Sequence, residues 1–377
     1  MKFLFASDSF KGTLSSQKTA ELLTKAAKQV FPECECVSVS VADGGEGTVE
    51  AVLENVDGRF IPAEVHDPLM RPIKAGYGKI SDTKAMIEMS KASGLTLLSE
   101  EERNPMQTSS YGTGELIAAA LKAGCKDITV AIGGSATNDG GMGCMRALGI
   151  RFLDKTGAEV DGTGENLKKV VHIDMSGLLP ELAGATFTVI CDVSNPLCGE
   201  QGATYTYGAQ KGGTPKILAE LEEGMCNYRN VILREFDINP DELVGAGAAG
   251  GLGCALAVFL KAELKPGIET VLDLVGFDTF LQDVSLVVTG EGRLDWQSCY
   301  GKAVQGVGVR CKKQGVPAVA LVGSVGEGAE QIYAHGISSI IKTAPAELPL
   351  QEALDRAEEF YFKAALALFS SMKNKEN

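Results

Sequence analysis

The chain has 377 residues, 45% of them hydrophobic, enough apolar material for a large buried core and enough length for two domains. A formal charge of −14 argues against a nucleic-acid or anionic membrane surface as partner. An anionic small substrate would therefore have to be held by local basic groups and backbone donors. No run of about 18 apolar residues is present to span a membrane, and the opening Met1-Lys2-Phe3-Leu4-Phe5-Ala6-Ser7-Asp8 turns polar too soon for a signal peptide. Ten cysteines without CxxC spacing fit a reducing cytoplasm better than a disulfide framework. Cys34 and Cys36 are too close for an ordinary disulfide and lack the second pair a zinc site would need.

In chain order, Lys2 to Ala6 reads as a first strand, with Asp8, Ser9 and Lys11 in its exit loop. Ser15 or Ser16 can cap a helix running to about Val30, whose apolar face includes Leu22, Leu23, Ala26, Ala27 and Val30. Val37 to Val41 is the next strand, leaving through Asp43-Gly44-Gly45-Glu46-Gly47-Thr48 into a helix near Val49 to Leu53. From Val56 to Ser81, Pro62, Pro68 and Pro72 break the rhythm into a linker and antiparallel strands, which places a domain boundary at about residue 70.

Beyond that boundary, Met86 to Met89 reads as a strand and Glu115 to Ala123 as a helix. Ile128 to Ile132 is a buried strand emptying into Gly133-Gly134-Ser135-Ala136-Thr137-Asn138-Asp139-Gly140-Gly141-Met142-Gly143, a glycine loop with the character of an anion cradle before a helix. Phe187 to Cys191 is a strand that exits through Asp192; Lys216 to Arg234 and Gly251 to Leu260 are helices. The opening rhythm then returns. Ser285 to Thr289 leaves through Gly290-Glu291-Gly292-Arg293-Leu294-Asp295, a helix runs from Lys302 to Gln314, strands occupy Ala318 to Val322 and Ser338 to Ile341, and a last helix spans Pro349 to Met372.

Strands alternating with helices at both ends, interrupted in the middle, predict an α/β protein: residues 1–70 and 285–377 form one discontinuous domain, and residues 71–284 a second α/β domain inserted into it. In open α/β sheets ligands bind outside the carboxyl ends of the strands, so the active site is expected in a cleft between the domains. The exit loops carry Asp8, Lys11, Asp43, Asp139, Asp192, Glu291 and Asp295. Phosphoryl transfer needs such a set: backbone donors for phosphates, carboxylates for Mg²⁺, a lysine for developing charge and a carboxylate to receive a hydroxyl proton. Each aspartate alone is as readily a turn or helix cap.

Other chemistries find less support. Gly301-Lys302 lacks the rest of a Walker A loop, and neither GxSxG nor HExxH occurs. Gly245-Ala246-Gly247-Ala248-Ala249-Gly250 matches GxGxxG and raises an NAD(P)-dependent oxidoreductase as the rival, but the preceding Ile238 to Glu242 is no buried strand. His66, His172 and His335 have no metal-ligand spacing and read as structural.

The motifs Asp8-Ser9-Phe10-Lys11-Gly12, Ala42 to Thr48, Gly133 to Gly141, Cys191 to Leu197 and Thr289 to Asp295, in this order, resemble those of the bacterial glycerate kinases of the glycerate 2-kinase type. The resemblance covers nearly the whole chain. It implies ATP-dependent phosphorylation of D-glycerate, with 2-phosphoglycerate as the expected product and 3-phosphoglycerate the alternative. It also implies Mg²⁺ and a flavodoxin-like domain split by an insertion. On this reading Asp192, leaving a buried strand into a proline-bearing loop, is the catalytic base. Lys11 serves the transferring phosphoryl or the substrate carboxylate, and Ser9 and Arg293 bind substrate, Arg293 as a planar fork. Gly133, Gly134, Ser135, Thr137 and Asn138 hold nucleotide phosphates, while Asp43, Glu291 and Asp295 compete for the metal.

Overall fold

The computed structural model describes residues 1–377 except Lys11, Asp43, Ala346, Glu347 and Asn377. The chain divides into two compact units, residues 1–43 with 267–377, and residues 44–266. The expectations for Lys11 and Asp43 lie outside the described residues.

Taken along the chain, the strands are β1 (Lys2–Ser7), β2 (Glu35–Ser38), β3 (Arg59–His66), β4 (Pro72–Lys79), β5 (Lys84–Glu88), β6 (Asp127–Ala131), β7 (Arg151–Leu153), β8 (His172–Asp174), β9 (Thr186–Ile190), β10 (Glu263–Lys265), β11 (Leu286–Leu294), β12 (Ala318–Val325) and β13 (Ile337–Lys342). In the first unit they form one sheet in the order β13-β12-β11-β1-β2, every pair parallel. Counted within that unit the order is 2-1-3-4-5, the flavodoxin-like winding, whose direction reverses between β1 and β11. The apolar runs predict this: Phe3, Phe5, Leu286, Val288, Val319 and Leu321 pack with the helices Ser16–Val30 and Ala357–Glu376 through Leu23, Ala26, Tyr361 and Phe369. The alternate residues Leu4, Ala6, Val287, Ala320 and Val322 are equally buried and so belong to the other face, where the helix Ala303–Gln314 lies. Ser15 caps its helix by accepting from the Lys18 N–H.

The second unit holds a six-stranded sheet in the order β10-β9-β6-β5-β4-β3, parallel from β10 to β5 and antiparallel across β4 and β3, and a small β7-β8 hairpin. The boundaries expected at residues 70 and 285 move. β3 pairs along its whole length with β4, which commits residues 59–66 to the second unit. The helix Gly267–Leu274 packs on Ala303–Gln314 in the first, with Ile268 against Gly306. Proline in the Val56–Ser81 stretch marks antiparallel strands, as expected, but not a boundary between units. A second correction concerns β11: the stretch from Gly290 to Leu294 reads as an exit loop, yet it continues as strand because β12 pairs with it as far as Leu294↔Val325.

Candidate active site

β1 and β11 part company at Ser7↔Gly290, where the Asp8 N–H still donates to the Gly290 carbonyl at 3.0 Å. Beyond that point β11 keeps only β12, and the β1 chain turns away. The turn is pinned by reciprocal Phe10–Leu14 backbone bonds of 2.8 and 3.1 Å and by the Phe10 ring set edge-on against Tyr361 at 5.3 Å. The parting opens a cavity of about 590 Å³ at the carboxyl edge of the sheet. Its polar lining includes Asp8, Ser9, Glu291, Arg293, Ser324 and Lys302, and Lys342 stands at the end of β13. A crevice at the reversal of strand order is where open α/β sheets bind ligands.

Glu291 is the chemically distinctive group here. It is 8% exposed, and its Oε1 is buried without a hydrogen-bond partner among the described residues. Burial pushes its carboxyl up to about 7; Ser298 and Lys302 work the other way, while Asp8 and Asp295 add to the rise. Such an oxygen, close to a second carboxylate, fits a hard divalent cation that supplies the missing positive charge. Asp295 is otherwise engaged. Its side chain accepts from the Gln297 N–H at 3.0 Å, its own backbone N–H donates to Ser298 Oγ at 3.1 Å in a capping box, and its Oδ2 lies 3.3 Å from Arg293 Nε. Of the three carboxylates expected at the metal, Glu291 alone is described with an unused buried oxygen. Arg293 is mostly exposed, its fork directed to Asp295.

Lys302 escapes a reading of the sequence because the Gly301-Lys302 pair fails as a Walker A loop. The residue instead sits at the N-cap of Ala303–Gln314 and reaches the cavity from that helix. Ser324 escapes for a related reason: the Gly323-Ser324-Val325-Gly326 stretch that ends β12 has no charged residue of its own to draw attention.

The second unit treats its glycine loops differently. In the β6 exit, Asp139 is fully buried and accepts from Ser110 N–H and Oγ–H at 2.8 and 2.7 Å and from the N–H groups of Gly141 and Gly143 at 3.0 and 3.1 Å. The helix Met142–Ala147 begins at these amides, so its N-terminal anion is the protein's own carboxylate. Burial raises that carboxyl above its ordinary range, and the four donors oppose the rise. Lys211, also buried, donates to the Thr137 carbonyl at 2.6 Å; desolvation lowers its ammonium to about 7 despite Asp139. The preceding glycine loop repeats the device, for buried Glu88 accepts from Gly47 N–H at 2.9 Å and Val49 N–H at 3.1 Å at the start of the helix Thr48–Leu53.

Of the residues expected on nucleotide phosphates, Thr137 and Asn138 are fully buried, each with one side-chain oxygen unpartnered among the described residues. Solvent does not reach their side chains, because the loop folds inward onto Asp139 and Lys211. Gly133, Gly134 and Ser135 lie at the loop's outer end, with Gly134 exposed at φ +76°. Asp192 is exposed just past β9. The GxGxxG stretch is no dinucleotide loop. A 3₁₀ turn, Pro240–Glu242, precedes it where a strand is required, and Gly250 packs so tightly that a Cβ would lie 2.1 Å from the Thr137 carbonyl. His66 and His172 pair with Glu115 and Glu235 at 3.0 and 3.1 Å, in keeping with structural roles.

A family model described as the glycerate kinase family matches residues 3–373. The chain is 42% identical over 374 residues to a glycerate kinase of Bacillus subtilis (strain 168), covering 99% of this chain and 98% of that one. It is 42% identical over 366 residues to a glycerate 2-kinase of Escherichia coli (strain K12), covering 97% and 96%. The crystal structure of a protein described as glycerate kinase 2 from Salmonella typhimurium LT2 superposes with a TM-score of 0.89 at 39% identity, covering 100% of this chain and 99% of the other.

Proposed function

The chain belongs to the glycerate kinase family and phosphorylates glycerate, and from that premise we propose that it transfers the γ-phosphoryl group of ATP to D-glycerate to give 2-phosphoglycerate, with Mg²⁺ required. The observation that carries the reading is the cavity at the β1/β11 parting, where an unpartnered buried Glu291 oxygen faces the same space as Asp8, Lys302 and Arg293.

In this proposal Glu291, with Asp8 beside it, holds Mg²⁺, joined by Asp43 and, if its cap loosens, Asp295. The ion when bound neutralises charge on the phosphoryl oxygens. Lys302 and Lys11, the latter two positions after Ser9 in the sequence, meet negative charge that grows during transfer. Ser9 and Arg293 bind the substrate carboxylate, with Arg293 exchanging Asp295 for a ligand of the same bidentate form. Asp192 receives the proton of the attacking hydroxyl. Gly133, Gly134 and Ser135 approach nucleotide phosphates, while Thr137 and Asn138 support that loop from beneath. Ten free thiols support a cytoplasmic setting; among the described residues no helix is long and apolar enough to cross a membrane.

The test is turnover with D-glycerate and ATP followed by phosphorus and proton NMR of the product, with and without EDTA. A phosphate on the C2 oxygen and full dependence on added Mg²⁺ are expected; a C3 phosphate refutes the regiochemistry, and activity in EDTA refutes the metal. Asp192→Asn tests the base: kcat should fall by about two to four orders of magnitude with glycerate affinity retained. Near-normal turnover would move the base to another carboxylate.

A further inference from the structure

In the second unit a cluster unrelated to the cavity brings together Cys198, Glu222 and Cys226, whose ligand atoms all lie within 4.8 Å of one another. Glu222 and Cys226 stand one turn apart on the helix Pro215–Phe236, so they share a face. The Cys226 Sγ–Glu222 Oε1 separation is 3.6 Å. Cys198 comes from the segment after β9 and is held in place from both sides: its own N–H donates to Asp241 at 2.9 Å, and the Gly199 N–H donates to Glu222 at 2.6 Å.

A hydrogen-bonded knot of thiols would account for the proximity but not for the charge. Glu222 is 8% exposed, and its Oε2 is buried with no hydrogen-bond partner among the described residues. Among those residues no basic side chain forms an ion pair with it, since Arg229, the nearby guanidinium, is bound to Asp241 at 2.8 Å. A buried carboxylate with an idle oxygen beside two sulfurs is short of a cation. Tetrahedral zinc, with sulfur bonds of about 2.3 Å and an oxygen bond of about 2.0 Å, sets its ligand atoms roughly 3.5–3.8 Å apart. The Cys226–Glu222 pair is already at that spacing, and no separation in the cluster exceeds 4.8 Å.

We propose that Cys198, Cys226 and Glu222 form a Zn²⁺ site, with water in the fourth position. Binding converts both thiols to thiolates and releases two protons to solvent, with no change of oxidation state. Two sulfur ligands favour zinc over Mg²⁺ or Ca²⁺, so this site is chemically separate from any catalytic magnesium. Its consequence is local: it ties the segment leaving β9 to the long helix.

The experiment uses the full chain, reduced with a phosphine, dialysed against chelator and titrated with Co²⁺ as a spectroscopic substitute for zinc. One equivalent should produce a thiolate-to-cobalt charge-transfer band that one equivalent of Zn²⁺ abolishes, and Zn²⁺ should raise Tm. Cys226→Ser, at a half-buried position tolerant of the change, should lose the band, as should Cys198→Ser. The double variant Cys34→Ser/Cys36→Ser should keep it. Glu222→Gln should keep sulfur charge transfer but weaken Co²⁺ affinity by at least about tenfold, the smaller end of what even outer-shell partners of a metal cost. No band in the wild-type protein overturns the site. So does a band that survives Cys226→Ser or disappears with Cys34 and Cys36, and unchanged affinity in Glu222→Gln removes the carboxylate from it.

Discussion

The β1 and β11 exits of the first unit share a sequence pattern with the β6 exit of the other unit: a buried strand, glycines, a carboxylate, then a helix. They differ in what satisfies them. At β6 the glycines fold the loop so closely that its amides find Asp139, and the anion that a helix N-terminus attracts comes from within the chain. Glu88 closes the Gly44–Thr48 loop in the same way. At β1 and β11 the strands separate, nothing in the described residues fills the gap, and Glu291 keeps a buried oxygen without a partner. A glycine-rich exit loop therefore reports close approach of backbone to something; whether that is a ligand or a side chain of the same chain depends on a residue distant in sequence. Self-filled loops predict loss of stability when their carboxylate is removed, and the open one predicts loss of activity.

The largest expected effect is Asp139→Ala. Four donors would lose their acceptor and Lys211 its nearby opposite charge, at a cost of about 3–5 kcal/mol in a denaturant melt. Should Asp139→Ala instead keep its stability and lose only nucleotide binding, Asp139 belongs to the site and the comparison fails.

Glu291→Gln should do the reverse. Its kcat is expected to fall by about two to three orders of magnitude, the range for removing one electrostatic stabiliser, and Mg²⁺ affinity measured by calorimetry should fall with it. Stability should hold, because a neutral amide replaces an ion that burial disfavours. A melt that collapses in Glu291→Gln with normal turnover in the surviving fraction would make the residue structural.

A third test uses the sign of pH dependence. The folded-state pKa of Glu291, about 7, lies above the ordinary 4.5, so between those values the folded state binds more protons than the unfolded one. Its contribution to stability is present below about 4.5 and is lost as pH rises through 7, amounting to up to roughly 3 kcal/mol from a shift of this size. Lys211 runs oppositely: its folded-state value of about 7 lies below the ordinary 10.5, so it favours the fold increasingly as pH rises from the first value to the second. Melts of wild type minus Glu291→Gln should isolate the first trend, and a flat difference from pH 4.5 to 7 would show that Glu291 is not desolvated.

Much of the fold is legible in sequence because parallel strands buried on two faces favour continuous apolar runs: Phe3–Ala6 in β1, Leu286–Val288 in β11 and Ala318–Val322 in β12 are such runs, and the apolar stretches of β6 and β9 are interrupted by Thr129 and Thr188. The domain boundary is less legible. Pro62 and Pro72 announce antiparallel strands but not which sheet β3 will join, since that depends on pairing with β4 rather than on anything local to residues 59–66. In the site, Glu291 and Arg293 stand out by type and position. Lys302 does not, because the cavity receives it from a helix cap and no neighbouring residue advertises that geometry. Thr137 and Asn138 have the composition of phosphate ligands, and only the position of Lys211, 74 residues on, shows that the loop turns inward.

The smallest expected effect separates backbone geometry from ligand approach at the outer end of the β6 loop. Gly134 has φ +76°, where a side chain costs about 1–2 kcal/mol, yet a Cβ there would meet nothing nearer than the Ser90 Cβ at 3.4 Å, an ordinary contact. Gly134→Ala should therefore lose only about 1–2 kcal/mol of stability. Gly141→Ala carries the same strain, at φ +74°, but would place its Cβ 2.4 Å from that of Ala255 and should lose clearly more. Against that baseline, calorimetric titration with an ATP analogue gives the answer. If phosphates lie on Gly134, the added methyl obstructs them, and nucleotide affinity falls by about tenfold or more while glycerate affinity holds. If both affinities hold and only the melt shifts, the whole β6 loop is scaffold, and nucleotide phosphates must be sought at other amides.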